Sequence, residues 1–279
     1  MPQTRDRRLR LMLAVGAVIV LGAVAGAVVA SLSSDGPATG AAELVPANAL
    51  LYVHVSTDRS RSAVGQGLDV VHRLPGYPGL AAGLENRLNA LVGNSAAGGW
   101  PAIRRWLGRE AAFAALNTTS SAAGSEIVLD VARPGLARRF LAGAGATPYG
   151  RYRGTALLSY PSGTVLAFVS HYLVLGQAGS VHAAIDTVAR RTPSLSGSSI
   201  YQQAAGDEPD GRVLDVYLSS AGVRRVLDPR RGLLGTLGAL LDRPDLTGAA
   251  ISISPTASGL RVHVHEALDP RLTPVNTSP

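Results

Sequence analysis

The chain lacks cysteine altogether and contains no lysine, so all 26 of its basic residues are arginine. The missing thiol excludes disulfides, thiolate zinc sites, iron–sulfur clusters, thiol nucleophiles and a lipid-modified cysteine. The missing lysine excludes the phosphate-binding lysine of P-loops, the kinase lysine and a pyridoxal Schiff base. No Gly-x-Ser-x-Gly nucleophile elbow occurs, and Ser196–Ser199 reads as a loop rather than a strand-to-helix turn. Gly143-x-Gly145 and Gly232-x-x-Gly235-x-x-Gly238 lack the six-position dinucleotide fingerprint; the second is better explained by close helix packing. An exported domain with no cysteine must rely on its core alone, which this length allows. Arginine without lysine, beside abundant Ala, Gly, Val and Leu, is the composition expected of a high-GC bacterial genome.

The N-terminus carries an address. Arg5, Arg7, Arg8 and Arg10, with Asp6 among them, stand directly before an unbroken apolar run from Leu11 to about Ala30. About twenty residues at roughly 1.5 Å each span the hydrocarbon core of a bilayer. The basic cluster stays cytoplasmic, which places the rest of the chain outside. A cleaved signal peptide is the competing reading: its apolar region usually runs only about 7–15 residues, but Ala25, Ala27 and Ala30 offer small residues for cleavage. The expected organisation is a cytoplasmic stub over 1–10, a transmembrane helix over 11–32 and a tether over 33–43. An extracytoplasmic domain over 44–268 and a polar tail over 269–279 follow. Of the net charge of +7, the stub supplies +3. The remaining arginine pairs, Arg104/Arg105 and Arg190/Arg191 among them, are scattered along the sequence. They suit a solvated face, or contact with anionic headgroups or an acidic wall polymer. Nucleic acid is not expected as a partner outside the cytoplasm.

Periodicity gives the outer domain. Leu51, Val53 and Val55 alternate with Tyr52, His54 and Ser56, the period of a half-buried strand over Leu50–Ser56. Asp58 is placed to cap a helix with Val64, Leu68 and Val71 on one face, and Leu80–Leu91 reads as a second helix. A short amphipathic helix follows over Trp100–Leu107, then strands near Ala111–Leu116 and Glu126–Val131. The middle section reads as a helix after Pro134, strands at Arg151–Tyr160, Thr164–Val169 and Tyr172–Leu175, and helices at Ser180–Arg191 and about Ile200–Ala205. Strand Arg212–Ser219 reopens the pattern, followed by helix Ala221–Leu227, a leucine-rich helix over Leu233–Leu241, and strands Ala249–Ser254 and Leu260–Glu266. Matching Leu51–Ser56 with Leu214–Ser219 suggests a degenerate internal duplication. Leu51, Val53, Val55, Leu214, Val216 and Leu218 are then expected to point inward, leaving Tyr52, His54 and Asp215 in water. The fold class expected is α+β: antiparallel sheet or sheets packed with amphipathic helices, behind one N-terminal transmembrane helix.

Leu44-Val-Pro-Ala-Asn-Ala-Leu-Leu-Tyr-Val-His-Val-Ser-Thr-Asp58 resembles the opening of actinobacterial DUF3352 proteins, which are membrane-anchored and of unknown function. Leu107–Ala112, Leu173–Gln177, Ser194-Leu195 leading to Ile200-Tyr201, and Gly222–Leu227 with Gly232–Gly235 fit the same family. The resemblance implies an envelope location and no particular activity. Members often extend further than the polar tail Pro270–Pro279, so a short variant or a truncated gene is an expectation here.

Candidate sites are sparse. His263 and His265 share a strand face and could bind zinc or nickel, yet no third ligand is apparent, and a solvated polar face is the reading taken. His54 and Tyr52 are read in the same way. The carboxylates Asp69, Glu85, Glu110, Asp130, Asp186 and Asp215 are separated in sequence, and nothing in their spacing predicts a catalytic pair. No catalytic residue, cofactor or metal is expected. Trp100 and Trp106 on one side of a short helix, with Arg104 and Arg105 towards the other, suit a membrane or partner contact, or a core helix with snorkelling arginines. The function expected is a non-enzymatic interaction or scaffold module of the cell envelope. Its partners would be the bilayer through residues 11–32 and an envelope protein, lipid or anionic wall polymer. The alternatives are a carrier for a lipid or other apolar molecule and an unrecognised extracytoplasmic hydrolase.

Overall fold

The computed structural model describes residues 36–72, 99–116, 124–226 and 244–272. The expected transmembrane helix and the two leucine-rich helices, Leu80–Leu91 and Leu233–Leu241, lie outside these residues. Among the described residues no helix is long and apolar enough to cross a membrane.

Ten strands form one antiparallel sheet in the order β10-β9-β8-β1-β2-β3-β7-β6-β5-β4. They are β1 (Ala49–Ser56), β2 (Leu107–Leu116), β3 (Gly124–Val131), β4 (Thr147–Tyr152), β5 (Thr155–Ser159), β6 (Val165–Val169), β7 (Tyr172–Gly176), β8 (Leu214–Ser219), β9 (Leu246–Pro255) and β10 (Leu260–Leu268). The six described helices are α1 (Ser62–His72), α2 (Gly99–Ile103), α3 (Pro134–Gly143), α4 (Ala178–Val188), α5 (Ser199–Ala205) and α6 (Ser220–Val226). The strand expected over Arg151–Tyr160 is instead the β4–β5 hairpin. Arg153 and Gly154 both take positive φ, 49° and 83°, which is the two-residue turn that matches the twist of paired strands. The helix expected over Trp100–Leu107 ends at Ile103, and Leu107 already belongs to β2.

The β1 and β8 strands are neighbours, with Leu51 opposite Leu218, Val53 opposite Val216 and Val55 opposite Leu214. About that junction the order β8-β9-β10 mirrors β1-β2-β3, so the two similar sequence sections build one continuous sheet. The six aliphatic residues share the face covered by α1 and α6, in a cluster with Val64, Leu68 and Val223. Gly222 of α6 lies so close to the Leu50 carbonyl that a Cβ would collide with it. Further along the same face, α3 closes a second cluster of Trp106, Phe140, Leu141, Leu166 and Leu173.

The opposite face is covered as well. Helices α4 and α5 pack there, and so does a strap over residues 36–48 containing a 3-10 turn, Gly40–Glu43. Ala41 and Ala42 are fully buried, so the part of the expected tether over residues 40–43 is built into the fold. The strap is held by backbone bonds, Leu195 N–H to the Val45 carbonyl at 2.7 Å and Ala47 N–H to the Pro193 carbonyl at 2.9 Å. With helices on one face and helices plus strap on the other, every residue of β1 is buried. Tyr52, His54 and Asp215, expected in water, are interior residues: His54 is 1% exposed and Asp215 6%.

Candidate functional site

The seam between β1, β2 and β8 gathers the titratable groups that the sequence scatters. His54 stands directly opposite Asp215 on β8, and its Nδ1 lies 2.8 Å from Asp215 Oδ2. On the other side its strand partner is Ala112, whose small side chain leaves room beside the imidazole. Two residues before Ala112 on the same face is Glu110, whose Oε2 lies 3.3 Å from His54 Nε2. Glu110 also accepts the Tyr172 hydroxyl at 2.6 Å and the Ala41 N–H of the strap at 3.2 Å. Gly40 packs against that hydroxyl and carboxylate where a Cβ could not fit. Asp215 in turn faces Arg212, Oδ1 to Nε 2.8 Å, and Arg212 faces Glu208 at 3.2 Å. Arg61 closes the lower edge, donating to Ser56 Oγ at 2.8 Å and to the Arg212 carbonyl at 3.0 Å. Tyr52, Tyr201 and Tyr217 stack edge to face alongside, with centroids 6.1 and 5.2 Å apart.

The electrostatics follow from burial and partners. Burial alone pulls the His54 imidazole down, but its contacts with Asp215 and Glu110 outweigh it and hold its pKa at about 9. Burial pushes Glu110 up, and His54, Tyr172 and the Ala41 N–H more than reverse that, leaving it below the usual carboxylate range. Glu208 is pushed up to about 7, by burial first and then by the charge of Asp215. At neutral pH the centre is therefore an imidazolium clamped between two carboxylates, each with a second partner. A general base needs an accessible lone pair near the reacting proton. His54 hydrogen-bonds Asp215 through Nδ1, brings Nε2 to 3.3 Å from Glu110 as a charge contact outside hydrogen-bond geometry, and is 1% exposed, so the cluster ties strands and strap together.

A different buried acid finds no hydrogen-bond partner among the described residues. Glu126 on β3 is 1% exposed, and neither carboxylate oxygen finds a hydrogen bond, so burial raises its pKa well above the usual range. It faces Gly176 of β7, where a Cβ would collide with the Ser125 carbonyl. Ser180 of α4 sits over that gap, its hydroxyl also unpaired.

The expected contact residues divide. Trp106 is 1% exposed and packs on Phe140 with ring centroids 5.8 Å apart, so it is a core residue rather than a surface contact. Arg104 is half-buried and Arg105 exposed, while the side chain of Trp100 lies outside the described part. His263 and His265 lie on β10, with His265 Nδ1 3.6 Å from Asp207. Among the described residues no group of three or more His, Asp or Glu side chains is arranged to hold a metal ion.

The sequence held signals for the seam that alternation in β1 concealed. The run Ala111–Leu116 does not alternate, which marks a strand buried on both faces and hence buried neighbours. Glu110 at the head of such a run is a carboxylate that needs an interior partner.

A single antiparallel sheet thus carries a buried ion-pair cluster at the seam of β1, β2 and β8. The chain belongs to the family described as "Protein of unknown function (DUF3352)", which matches residues 100–279. The opening segment Leu44–Asp58, which carried part of the resemblance, lies outside that match. No curated protein matches the chain. Among solved structures it is similar to TP0453 in crystal forms I, III and IV, at 9%, 8% and 8% identity and TM-scores of 0.46, 0.44 and 0.43. These alignments cover 84% of this chain and 80%, 81% and 85% of the respective TP0453 chains.

Proposed function

We propose that this chain is a membrane-anchored, extracytoplasmic protein without catalytic activity, an interaction or scaffold module of the bacterial cell envelope. The anchor is the apolar run within residues 11–32 behind its arginine cluster, and the domain is displayed outside. The observation that carries the non-catalytic reading is the internal commitment of His54, Glu110, Asp215 and Tyr172 to one another. A surface for a partner is available on β10, an edge strand whose Leu260, Val262 and Val264 are exposed on one face, Val262 to 59%.

Native mass spectrometry of the chain extracted from its host's membranes tests this reading. The expected result is an intact Arg-rich N-terminus and a stoichiometric protein partner. A mature terminus near Ser31 in the medium refutes the anchor. One lipid retained per chain favours the carrier instead. Turnover abolished by Glu110→Gln in a chain that stays folded restores the hydrolase.

A further inference from the structure

Six exposed arginines gather at one end of the sheet, and Gly36, the first of the described residues, lies at that end. Tracing the pairing, the end of β1, the start of β2, the end of β3, the β4–β5 turn and the start of β10 all fall together. Arg59, Arg105, Arg109, Arg133, Arg153 and Arg261 occupy these connections or the first residues beside them, and all six are exposed. Four half-buried carboxylates there have local partners: Asp58 accepts the Ser60 N–H, Asp130 accepts the Arg109 N–H, Asp186 pairs with Arg153 and Glu208 pairs with Arg212. Asp207 and Asp210 stay exposed on the β8 side, and Glu43 on the strap. At the opposite end the connections Gly143–Ala146, Pro161–Thr164 and Gly176–Ala178 contain no arginine, while exposed Arg224 stands on α6 about one turn beyond the end of β8. Arg271, just beyond β10, lies beside Asp269 and donates its N–H to that carboxylate.

Gly36, the first described residue of the strap, lies against Asp210 at the arginine-bearing end: a Cβ there would stand 3.1 Å from the carboxylate. Residues 33–35 alone separate it from the expected end of the membrane helix. Even fully extended, that link reaches only about 15 Å. The arginine rim is thus held within reach of the headgroups by covalent connection, which makes docking an intramolecular event at high effective concentration.

We propose that this rim is a docking surface for anionic phospholipid headgroups of the outer leaflet, on which the domain rests end-on. The proposal deepens the anchored reading above and depends on it. Guanidinium groups suit phosphate by bidentate hydrogen bonding. Leu260, 40% exposed at the same rim, adds an apolar contact for the interface.

With no native cysteine, a single thiol can be placed at Ser258→Cys in the β9–β10 turn, or at Ser162→Cys in the β5–β6 turn at the far end. Each full-length chain is labelled with a fluorophore and reconstituted into nanodiscs carrying a nitroxide on the headgroups. In phosphatidylglycerol-containing discs the label at 258 is expected to be quenched and the label at 162 spared. Quenching at 258 should fall in phosphatidylcholine alone and at about 1 M salt, where the screening length is only about 3 Å. Combining Arg105→Gln, Arg109→Gln, Arg133→Gln and Arg261→Gln should lower the docked-to-undocked ratio by about fivefold per arginine, with the denaturation midpoint unchanged. Equal quenching at both ends, or quenching indifferent to lipid charge and to the substitutions, overturns the proposal. So does a rim that captures an anionic wall polymer from solution while the label at 258 stays bright. A chain that fails to enter the nanodisc refutes the anchor itself, and the docking with it.

Discussion

Replacing His54 by alanine separates a sealed cluster from a wet strand face. On a solvated face the change costs within about 0.5 kcal/mol. Inside the seam it removes the cation between two buried carboxylates, a loss of the kind that costs about 3–5 kcal/mol. Both acids keep a second partner, Glu110 the Tyr172 hydroxyl and Asp215 the Arg212 guanidinium, which points to the lower end, about 3 kcal/mol. The pH dependence gives an independent measure. A folded pKa of about 9 against 6.5 unfolded means that the folded state binds the proton more tightly. The resulting stabilisation, about 3 kcal/mol, is complete below pH 6.5 and is lost as pH rises through 9. Urea denaturation of the detergent-solubilised chain, followed by the fluorescence of buried Trp106, reads both quantities. The parent and His54→Ala curves should lie about 3 kcal/mol apart at pH 6 and converge by pH 9–10. A gap under about 1 kcal/mol at pH 6, or one independent of pH, refutes the clamped imidazolium.

Glu126 behaves in the opposite sense to an ion-paired acid. Its raised pKa means that stability is fully present below about pH 4.5 and declines as pH rises towards the folded value. Glu126→Gln should therefore gain on the parent progressively as pH rises from 4.5 to 7 in the same titration; parallel curves would show that the carboxyl has a partner. Gly222→Ala should cost about 1–3 kcal/mol, because the Leu50 carbonyl it meets is backbone in a central strand and cannot turn aside. Val53→Asp should unfold the domain by circular dichroism, since it buries a charge within the cluster under α1 and α6, whereas Val262→Asp on the exposed edge should leave the melting temperature nearly unchanged. Equal damage from the two would put the β1 register in doubt.

The sequence by itself determined most of the local structure. Strand positions in β1, β8, β9 and β10 follow from two-residue alternation, and α1, α3 and α4 from apolar stripes with a three-to-four-residue spacing. Leu51, Val53 and Val55 fall on one buried face from the sequence alone, because alternation fixes which side chains travel together. Alternation does not say whether the other face meets water. That was decided by the number of layers: α4, α5 and the strap cover the second face, and only the folded chain brings residues 36–48 across a sheet whose strands come from the whole length of the domain. The ion-pair cluster was hidden for the same reason. His54, Glu110, Tyr172 and Asp215 span about 160 positions of sequence, and none has a local neighbour that announces the others. Strand pairing places them within hydrogen-bond distance, and exclusion of water then makes their partners obligatory. Likewise the arginines, dispersed in the sequence, become one rim because antiparallel strands return repeatedly to the same end of the sheet.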